Sequence, residues 1–132
     1  MEHQDYKARI LVADDELGVR TMLKDFFTEK NFKVSTAAGG REAIQKMLSF
    51  HPHILLLDMK MPDISGEEVL KYIYENKIEI GVIIITGFPE LIANKTLLDG
   101  VYDCLVKPFD FKYLKNTVLT TVVMACKKNG VL

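Results

Sequence analysis

Two stretches constrain the fold of this chain more than any others, Ile54-Leu55-Leu56-Leu57-Asp58 and Gly81-Val82-Ile83-Ile84-Ile85-Thr86. Each is an apolar run without alternation that stops on a polar residue. Strands of this kind are buried on both faces, which in a soluble protein places them in the middle of a parallel sheet. Asp58 and Thr86 then stand at the carboxyl ends of central strands, the edge at which open α/β sheets carry their ligand sites. Taken alone, Asp58 can equally be a cap for the turn that follows it, because Met59-Lys60-Met61-Pro62-Asp63-Ile64-Ser65-Gly66 has the turn chemistry of a loop.

The rest of the chain alternates strand and helix around these two runs. Residues 8–13 read as a short buried strand that leads into Asp14-Asp15-Glu16. Val19, Met22, Leu23, Phe26 and Phe27 recur at three- and four-residue intervals, one face of a helix that starts near Leu17 and ends at Asn31. Residues 32–37 form a second, more weakly patterned strand. Gly39-Gly40 turns into a helix with Ala43, Ile44, Met47 and Leu48 inward, stopped before Pro52. A helix over about 66–75, with Val69, Leu70 and Ile73 inward, follows the strand at 54–58. After the strand at 81–86 the pattern predicts a helix over about 89–98, with Pro89 in its first turn and Gly100 as its stop. A fifth strand at 101–106 ends in Lys107-Pro108-Phe109, and a last helix over about 110–127 carries Phe111, Leu114, Val118, Leu119, Val122 and Val123 on a broad face. Five strands alternating with five helices, joined by right-handed crossovers, predict a doubly wound five-stranded parallel sheet with helices on both faces.

Composition removes several classes of function. With 132 residues the chain is expected to be one domain, 1–132. Seventeen basic residues against eighteen acidic ones give no bulk electrostatic signal for nucleic acid or a membrane surface. No apolar run is long enough to span a bilayer, and Met1-Glu2-His3-Gln4-Asp5 is not a signal peptide. Cys104 and Cys126 are too few for a disulfide framework and lack metal-ligand spacing, so a reduced, cytoplasmic protein is expected. His51 and His53, on either side of Pro52, read as solvated loop residues.

In the expected sheet the carboxyl ends of all strands share one edge, so Asp14, Asp15, Asp58, Thr86 and Lys107 converge there although they are scattered in sequence. Singly, each has an ordinary explanation: a solvated helix start for Asp14-Asp15, a strand end for Thr86, a surface charge for Lys107. Together, three carboxylates raise one another's pKa or recruit a cation. With oxygen donors and no nearby histidine or cysteine, Mg2+ is the natural cation, and a lysine beside it adds positive charge for a phosphoryl group. The chemistry implied is phosphoryl transfer to a carboxylate.

The set Ala13-Asp14-Asp15-Glu16, Leu57-Asp58-Met59-Lys60-Met61-Pro62 with Gly66, Ile85-Thr86-Gly87 and Lys107-Pro108-Phe109 resembles the receiver domain of two-component response regulators, over a core of about 7–127. The resemblance implies a flavodoxin-like fold with strand order 2-1-3-4-5. It implies Asp58 as phosphoacceptor, supplied by a histidine kinase or histidine phosphotransfer protein. Asp14 and Asp15 match the pair that binds Mg2+, with Asp58 and the backbone carbonyl of Lys60 as further ligands. Thr86 matches the hydroxyl that swings toward the phosphate, Lys107 the cation that contacts it, and Gly87 the small residue that leaves room for the incoming group. The Lys107-Pro108 bond matches the family's cis peptide. Lys60 and Phe88 would flank the phosphate, and Lys60 and Pro108-Phe109-Asp110 also occur in relatives resembling the sporulation phosphorelay regulator. Where many relatives carry an aromatic residue, this chain has Cys104; Tyr102, two positions away, lies on the same face of the strand.

The expected function is therefore a phosphoacceptor switch rather than a turnover enzyme, acting on an unknown output domain or protein, with no direct contact to nucleic acid or membrane. A monomer or a phosphorylation-dependent dimer is expected. The alternatives are a phosphorylation-independent binding module with a receiver fold, and a Mg2+-dependent phosphatase of small metabolites, which lacks a second acid/base group beside Asp58. The tail Lys127-Lys128-Asn129-Gly130-Val131-Leu132 fits a terminus or the start of a linker.

Overall fold

The computed structural model describes residues 8–91 and 95–128. Five strands, β1 (Arg9–Ala13), β2 (Lys33–Ala37), β3 (Ile54–Leu57), β4 (Gly81–Thr86) and β5 (Val101–Val106), form one sheet in the order β2-β1-β3-β4-β5. Every neighbouring pair is parallel. Four α-helices, α1 (Leu17–Glu29), α2 (Gly40–Phe50), α3 (Gly66–Glu75) and α4 (Phe111–Lys128), connect or follow the strands.

The non-alternating runs do what their composition requires. Along β1, β3 and β4, successive residues enter opposite layers of core. Leu11, Leu55, Leu57, Val82 and Ile84 pack with Ala43 and Met47 of α2 and Val69, Leu70 and Ile73 of α3. Ile10, Val12, Ile54, Leu56, Ile83 and Ile85 pack with Leu23 and Phe27 of α1 and Leu114 and Val118 of α4. A central strand of this sheet has no solvent face, which is why neither β3 nor β4 contains a polar residue before its last position or its end.

Three helical stripes read from the sequence are too wide. Met22, Leu48 and Val123 are about half exposed. The inward direction of each helix is set by neighbours four residues apart, Leu23 and Phe27, Ala43 and Met47, Leu114 and Val118. Met22 and Leu48 each lie about 100° away from an inward neighbour, on the shoulder of the stripe, and Val123 lies about 140° from Val118, beyond it. Thr121 is buried instead, its hydroxyl donating to the Thr117 carbonyl at 2.7 Å.

The described parts of the helix expected over 89–98 are not α-helical. Pro89–Leu91 and Lys95–Gly100 are short 3-10 turns, and positions 92–94 of that expectation lie outside the described residues. A stripe through Leu91 and Leu98 needs apolar residues at 94 and 95, and these are Asn94 and Lys95. Without that stripe there is little to hold a full helical turn against the sheet. Among the described residues the sheet is therefore flanked by four α-helices where five were expected. The terminal stretches 1–7 and 129–132, the side chain of Cys126 and the tail sequence also fall outside the described residues.

The segment after β3 is the tightest in the fold. Ser65 caps α3, its hydroxyl accepting from the Glu68 N–H at 3.2 Å, and Glu67 and Glu68 add favourable charge to the first turn. A Cβ on Gly66 would stand 2.4 Å from the Asp58 carbonyl oxygen and 2.7 Å from the Met59 Cα. Alanine normally favours a helix over glycine, but here its methyl meets backbone. Gly66→Ala is expected to destabilise the protein by about 1–3 kcal/mol in urea unfolding. A variant as stable as the wild type would contradict this packing.

Candidate functional site

Asp14, Asp58 and Lys107 are each the first residue beyond a strand, and the backbone ladder still holds them; Asp15 is the second residue beyond β1. The Asp14 N–H donates to Ala37 O at 3.1 Å, the Asp58 N–H to Ala13 O at 2.9 Å, and the Lys107 N–H to Thr86 O at 2.9 Å. These side chains therefore start from fixed main-chain positions at the ends of β1, β3 and β5. Sequence distance is converted into proximity by the strand order alone.

Asp14, Asp15 and Asp58 form an acidic cluster in which one oxygen from each lies within 4.8 Å of the others. Asp14 and Asp58 are only 3% and 4% exposed, whereas Asp15 is exposed. The Lys107 ammonium lies 2.8 Å from Asp14 Oδ2, 2.8 Å from Glu16 Oε1 and 3.3 Å from Asp58 Oδ2. The Glu16 N–H donates to Asp14 Oδ1 at 2.9 Å, and Arg20 Nη1 donates to the Asp14 carbonyl at 2.7 Å. A cleft of about 360 Å³ opens onto this cluster, lined by Asp15, Glu16, Asp58, Lys60, Gly87, Phe88 and Lys107. The Lys60 N–H reaches Asp58 Oδ1 at 3.3 Å, and the Lys60 ammonium sits 4.4 Å from the centre of the Phe88 ring. The Lys107-Pro108 peptide is cis.

The electrostatics are those of a site with too much negative charge. Burial pushes the Asp14 carboxyl above its ordinary range, and the nearby charge of Asp58 adds to this; hydrogen bonds from Lys107 and the Glu16 N–H only partly oppose it. Burial alone would lower the pKa of Lys107, but hydrogen bonds to Asp14 and Glu16 and the field of Asp14 and Asp58 outweigh it and hold the ammonium firmly protonated. Glu16 is lowered by its hydrogen bond to Lys107. All donors of the cluster are hard oxygens. Ligand oxygens around Mg2+ lie at most about 4.2 Å apart, so small side-chain adjustments bring the three carboxylates to that spacing. The residues present fit a small divalent cation.

The structure brings Asp14, Asp15, Asp58, Lys60, Gly87 and Lys107 to one place. Thr86 is there too, but fully buried, its hydroxyl oxygen accepting the Phe88 N–H at 3.0 Å rather than facing the cleft. Tyr102 is not. It is the extra residue of a β-bulge, since Val101 pairs with Val82 and Asp103 with Ile83, and its ring lies against Gly81. Gly81 and Thr86 are opposite ends of β4, about 17 Å apart. Cys104 is exposed and pairs with Ile84, while the residue opposite Thr86 is Val106, half exposed. Glu16 had no role in the sequence reading, yet it shares Lys107 with Asp14. Its only sequence signal was its place directly after the acidic pair. His53, exposed, accepts the Arg9 N–H on Nδ1 at 3.0 Å, at the other edge of the sheet.

Comparison with known proteins agrees with this geometry. A family profile described as the response regulator receiver domain matches residues 10–119. The chain is 32% identical to sporulation initiation phosphotransferase F of Bacillus subtilis over 111 residues, which cover 83% of this chain and 90% of that protein. It is 32% identical to the regulatory protein AtoC of Escherichia coli over 124 residues, 93% of this chain but 27% of AtoC, so it spans about a quarter of that relative. Among solved structures, the signal receiver domain of a LuxO repressor protein from Vibrio parahaemolyticus superposes with a TM-score of 0.85 at 31% identity, covering 95% of this chain and 97% of that one. The response regulator TrrA of Thermotoga maritima, solved with Mg2+ and BeF, gives 0.78 at 33% identity over 86% and 98% of the two chains.

The raised pKa of Asp14 fixes the sign of one prediction. A carboxyl whose folded pKa lies above its unfolded value costs stability as pH rises through that interval, and costs nothing below the unfolded value. Asp14→Asn keeps an acceptor for the Glu16 N–H and removes the buried charge. In chelator at pH 7 it is expected to raise the midpoint of urea unfolding above that of the wild type. That gain should disappear as pH falls to the ordinary carboxyl value of 3.8. Urea unfolding across this range reads it directly, and a variant less stable than wild type at pH 7 would overturn the assignment.

Proposed function

This chain belongs to the response regulator receiver family, and on that premise we propose that it is a phosphorylation-controlled switch of a two-component or phosphorelay system. The observation that carries the reading is the Lys107 ammonium, 3.3 Å from Asp58 Oδ2 and 2.8 Å from Asp14 Oδ2, at the mouth of a cleft whose other walls leave room for a phosphoryl group. In this reading the whole chain acts as one receiver domain. A carboxylate oxygen of Asp58 attacks phosphorus, the bond from phosphorus to the donor nitrogen breaks, and the imidazole of a histidine kinase or histidine phosphotransfer protein leaves with the electron pair.

Asp14, Asp15 and Asp58, with the Lys60 carbonyl, would hold Mg2+, which when bound supplies positive charge to the phosphoryl oxygens. Lys107 supplies a second positive charge beside Asp58. Its bond to Glu16, a side chain that is largely in solvent, is the one most easily given up when a phosphoryl oxygen competes for the ammonium. The hydroxyl of Thr86 would exchange the Phe88 N–H for the phosphoryl group, and Gly87, open on all sides, would leave space for it. Movement of Thr86 then alters the end of β4 and, through the Thr86–Val106 pair, the end of β5. An output domain or partner protein would read that change.

No helix among the described residues is long and apolar enough to cross a membrane, and the reading places the protein in the cytoplasm. One observation favours a second reading, a binding module that works without phosphorylation: Tyr102 lies at the far end of β4 from Thr86, so no aromatic ring on β5 is near enough to follow the threonine. The two readings part on metal affinity, because a plain binding module has no use for Mg2+ at this edge.

Incubation with acetyl phosphate and Mg2+, followed by intact-mass measurement, tests the proposal. One phosphoryl group is expected on the wild type, and none on Asp58→Asn or in excess chelator. An unmodified wild type, or a modification that survives Asp58→Asn, would sink it.

A further inference from the structure

The loop between β3 and α3, residues 58–65, carries Lys60 over the cleft, and one side chain in that loop is tied to a distant element. Asp63 reaches the start of α2. Its Oδ1 accepts the Gly40 N–H at 2.9 Å and its Oδ2 accepts the Arg41 N–H at 3.1 Å. The residue at the N-cap of α2 is Gly39, which has no side chain to satisfy those first N–H groups. The cap therefore comes from a residue in another loop, and it is a carboxylate at the positive end of a helix. The same two hydrogen bonds that complete α2 also fix the loop.

The seat is shaped from both sides. A Cβ on Gly39 would stand 2.6 Å from Asp63 Oδ1, and one on Gly40 would stand 2.3 Å from the Ile64 carbonyl oxygen. Gly39 has an extended backbone that any residue could adopt, so the requirement at this pair is close approach rather than conformation. Elsewhere the loop is held by weaker means. Met59 and Met61 are buried in the core beneath it, but methionine side chains are flexible and fix depth better than direction. The Gly66 N–H closes the far end of the loop on Met59 O at 3.0 Å. Among the described residues, Asp63 is the one that ties the middle of the loop to another element by side-chain hydrogen bonds.

We infer that Asp63 is a positioning residue for the phosphorylation site: by capping α2 from across the sheet edge, it fixes the loop that presents the Lys60 backbone to the acidic cluster. This rests on the proposed function for its consequence, though not for its geometry. Asp63 touches neither Asp58 nor the cleft. Its effect passes along the four residues Lys60 to Asp63, stiffened by Pro62 between them. The start of α2 is also held by a second, local bond, the Ala38 N–H to Glu42 Oε1 at 2.8 Å. Glu42 supports the same helix end without touching the loop, so the two contributions separate.

Wild type, Asp63→Ala, Asp63→Asn and Glu42→Ala are compared by thermal unfolding, by Mg2+ titration and by hydrogen exchange of segment 59–65 in the metal-free protein. Asp63→Ala and Glu42→Ala are both expected to lower Tm, because each weakens the start of α2. Only Asp63→Ala should also weaken Mg2+ binding, by about tenfold, and speed exchange in 59–65. Asp63→Asn, with one acceptor oxygen in place of two, should fall between wild type and Asp63→Ala in both readouts. If Asp63→Ala and Glu42→Ala keep wild-type Mg2+ affinity and wild-type exchange in 59–65 alike, Asp63 is a helix cap and nothing more. If the wild type itself fails to bind Mg2+, the proposed function falls, and exchange in 59–65 decides the role of Asp63 by itself.

Discussion

The Lys107 ammonium is the group on which the site depends. Two unit charges of like sign 4 Å apart repel by about 1 kcal/mol in water and about 4 kcal/mol near a protein surface, and Asp14 and Asp58 are both almost completely buried. Lys107 arrives from β5, two strands away from β3 in the sheet, and bonds to both. Among the described residues it is the side-chain cation paired with the two buried carboxylates. With it the cluster is neutralised in part, while burial, with a smaller addition from the charge of Asp58, still holds the Asp14 carboxyl above its ordinary range. A site left short of positive charge is one that gains from a cation, and a lysine already in place is one that can turn to an incoming anion. Receptivity to both follows from the same imbalance.

What makes the imbalance tolerable is the ladder beneath it. Asp14, Asp58 and Lys107 each donate a backbone hydrogen bond to the neighbouring strand, so the charged side chains are held by the most regular part of the fold. The apolar strands β1 and β3, which carry Asp14 and Asp58, are buried on both faces, and that burial outweighs the cost of the charged rim; β5, which carries Lys107, is the half-exposed edge strand. Function therefore sits where the fold is stiffest in the main chain and least favourable in its charges. The loops supply the rest: Asp63 ties one of them to α2, and the Phe88 N–H holds Thr86 in its resting orientation.

The parts of this arrangement that can be read from sequence are those set by burial. Ile54 to Leu57 and Val82 to Ile85 announce a two-faced sheet, and once strand order is known the positions of Asp14, Asp58, Thr86 and Lys107 follow. Helix shoulders are harder, because Met22 and Leu48 differ from Leu23 and Met47 by a rotation and not by chemistry. The stretch from Pro89 to Leu98 misleads for another reason: its first proline and terminal glycine are good helix punctuation, while Asn94 and Lys95 break the stripe that would have held a helix down. Glu16 and Asp63 were invisible as partners. An exposed carboxylate in sequence carries no sign of which distant N–H or ammonium it will meet, and only the register of the strands and the path of the loops decide it. Tyr102 shows the same limit, since a single bulge residue moves its ring toward Gly81.

The central claim is that Asp58, with its neighbours, accepts a phosphoryl-like group only when a divalent cation occupies the acidic cluster. Titration with beryllofluoride, followed through the backbone amide resonances of residues 58–60, 86–88 and 107, measures that coupling without relying on any particular phosphodonor. Saturable shifts at all three segments are predicted with Mg2+ present, no shifts with Mg2+ absent, and none in Asp58→Asn. Shifts that appear without Mg2+, or that persist in Asp58→Asn, would contradict the account.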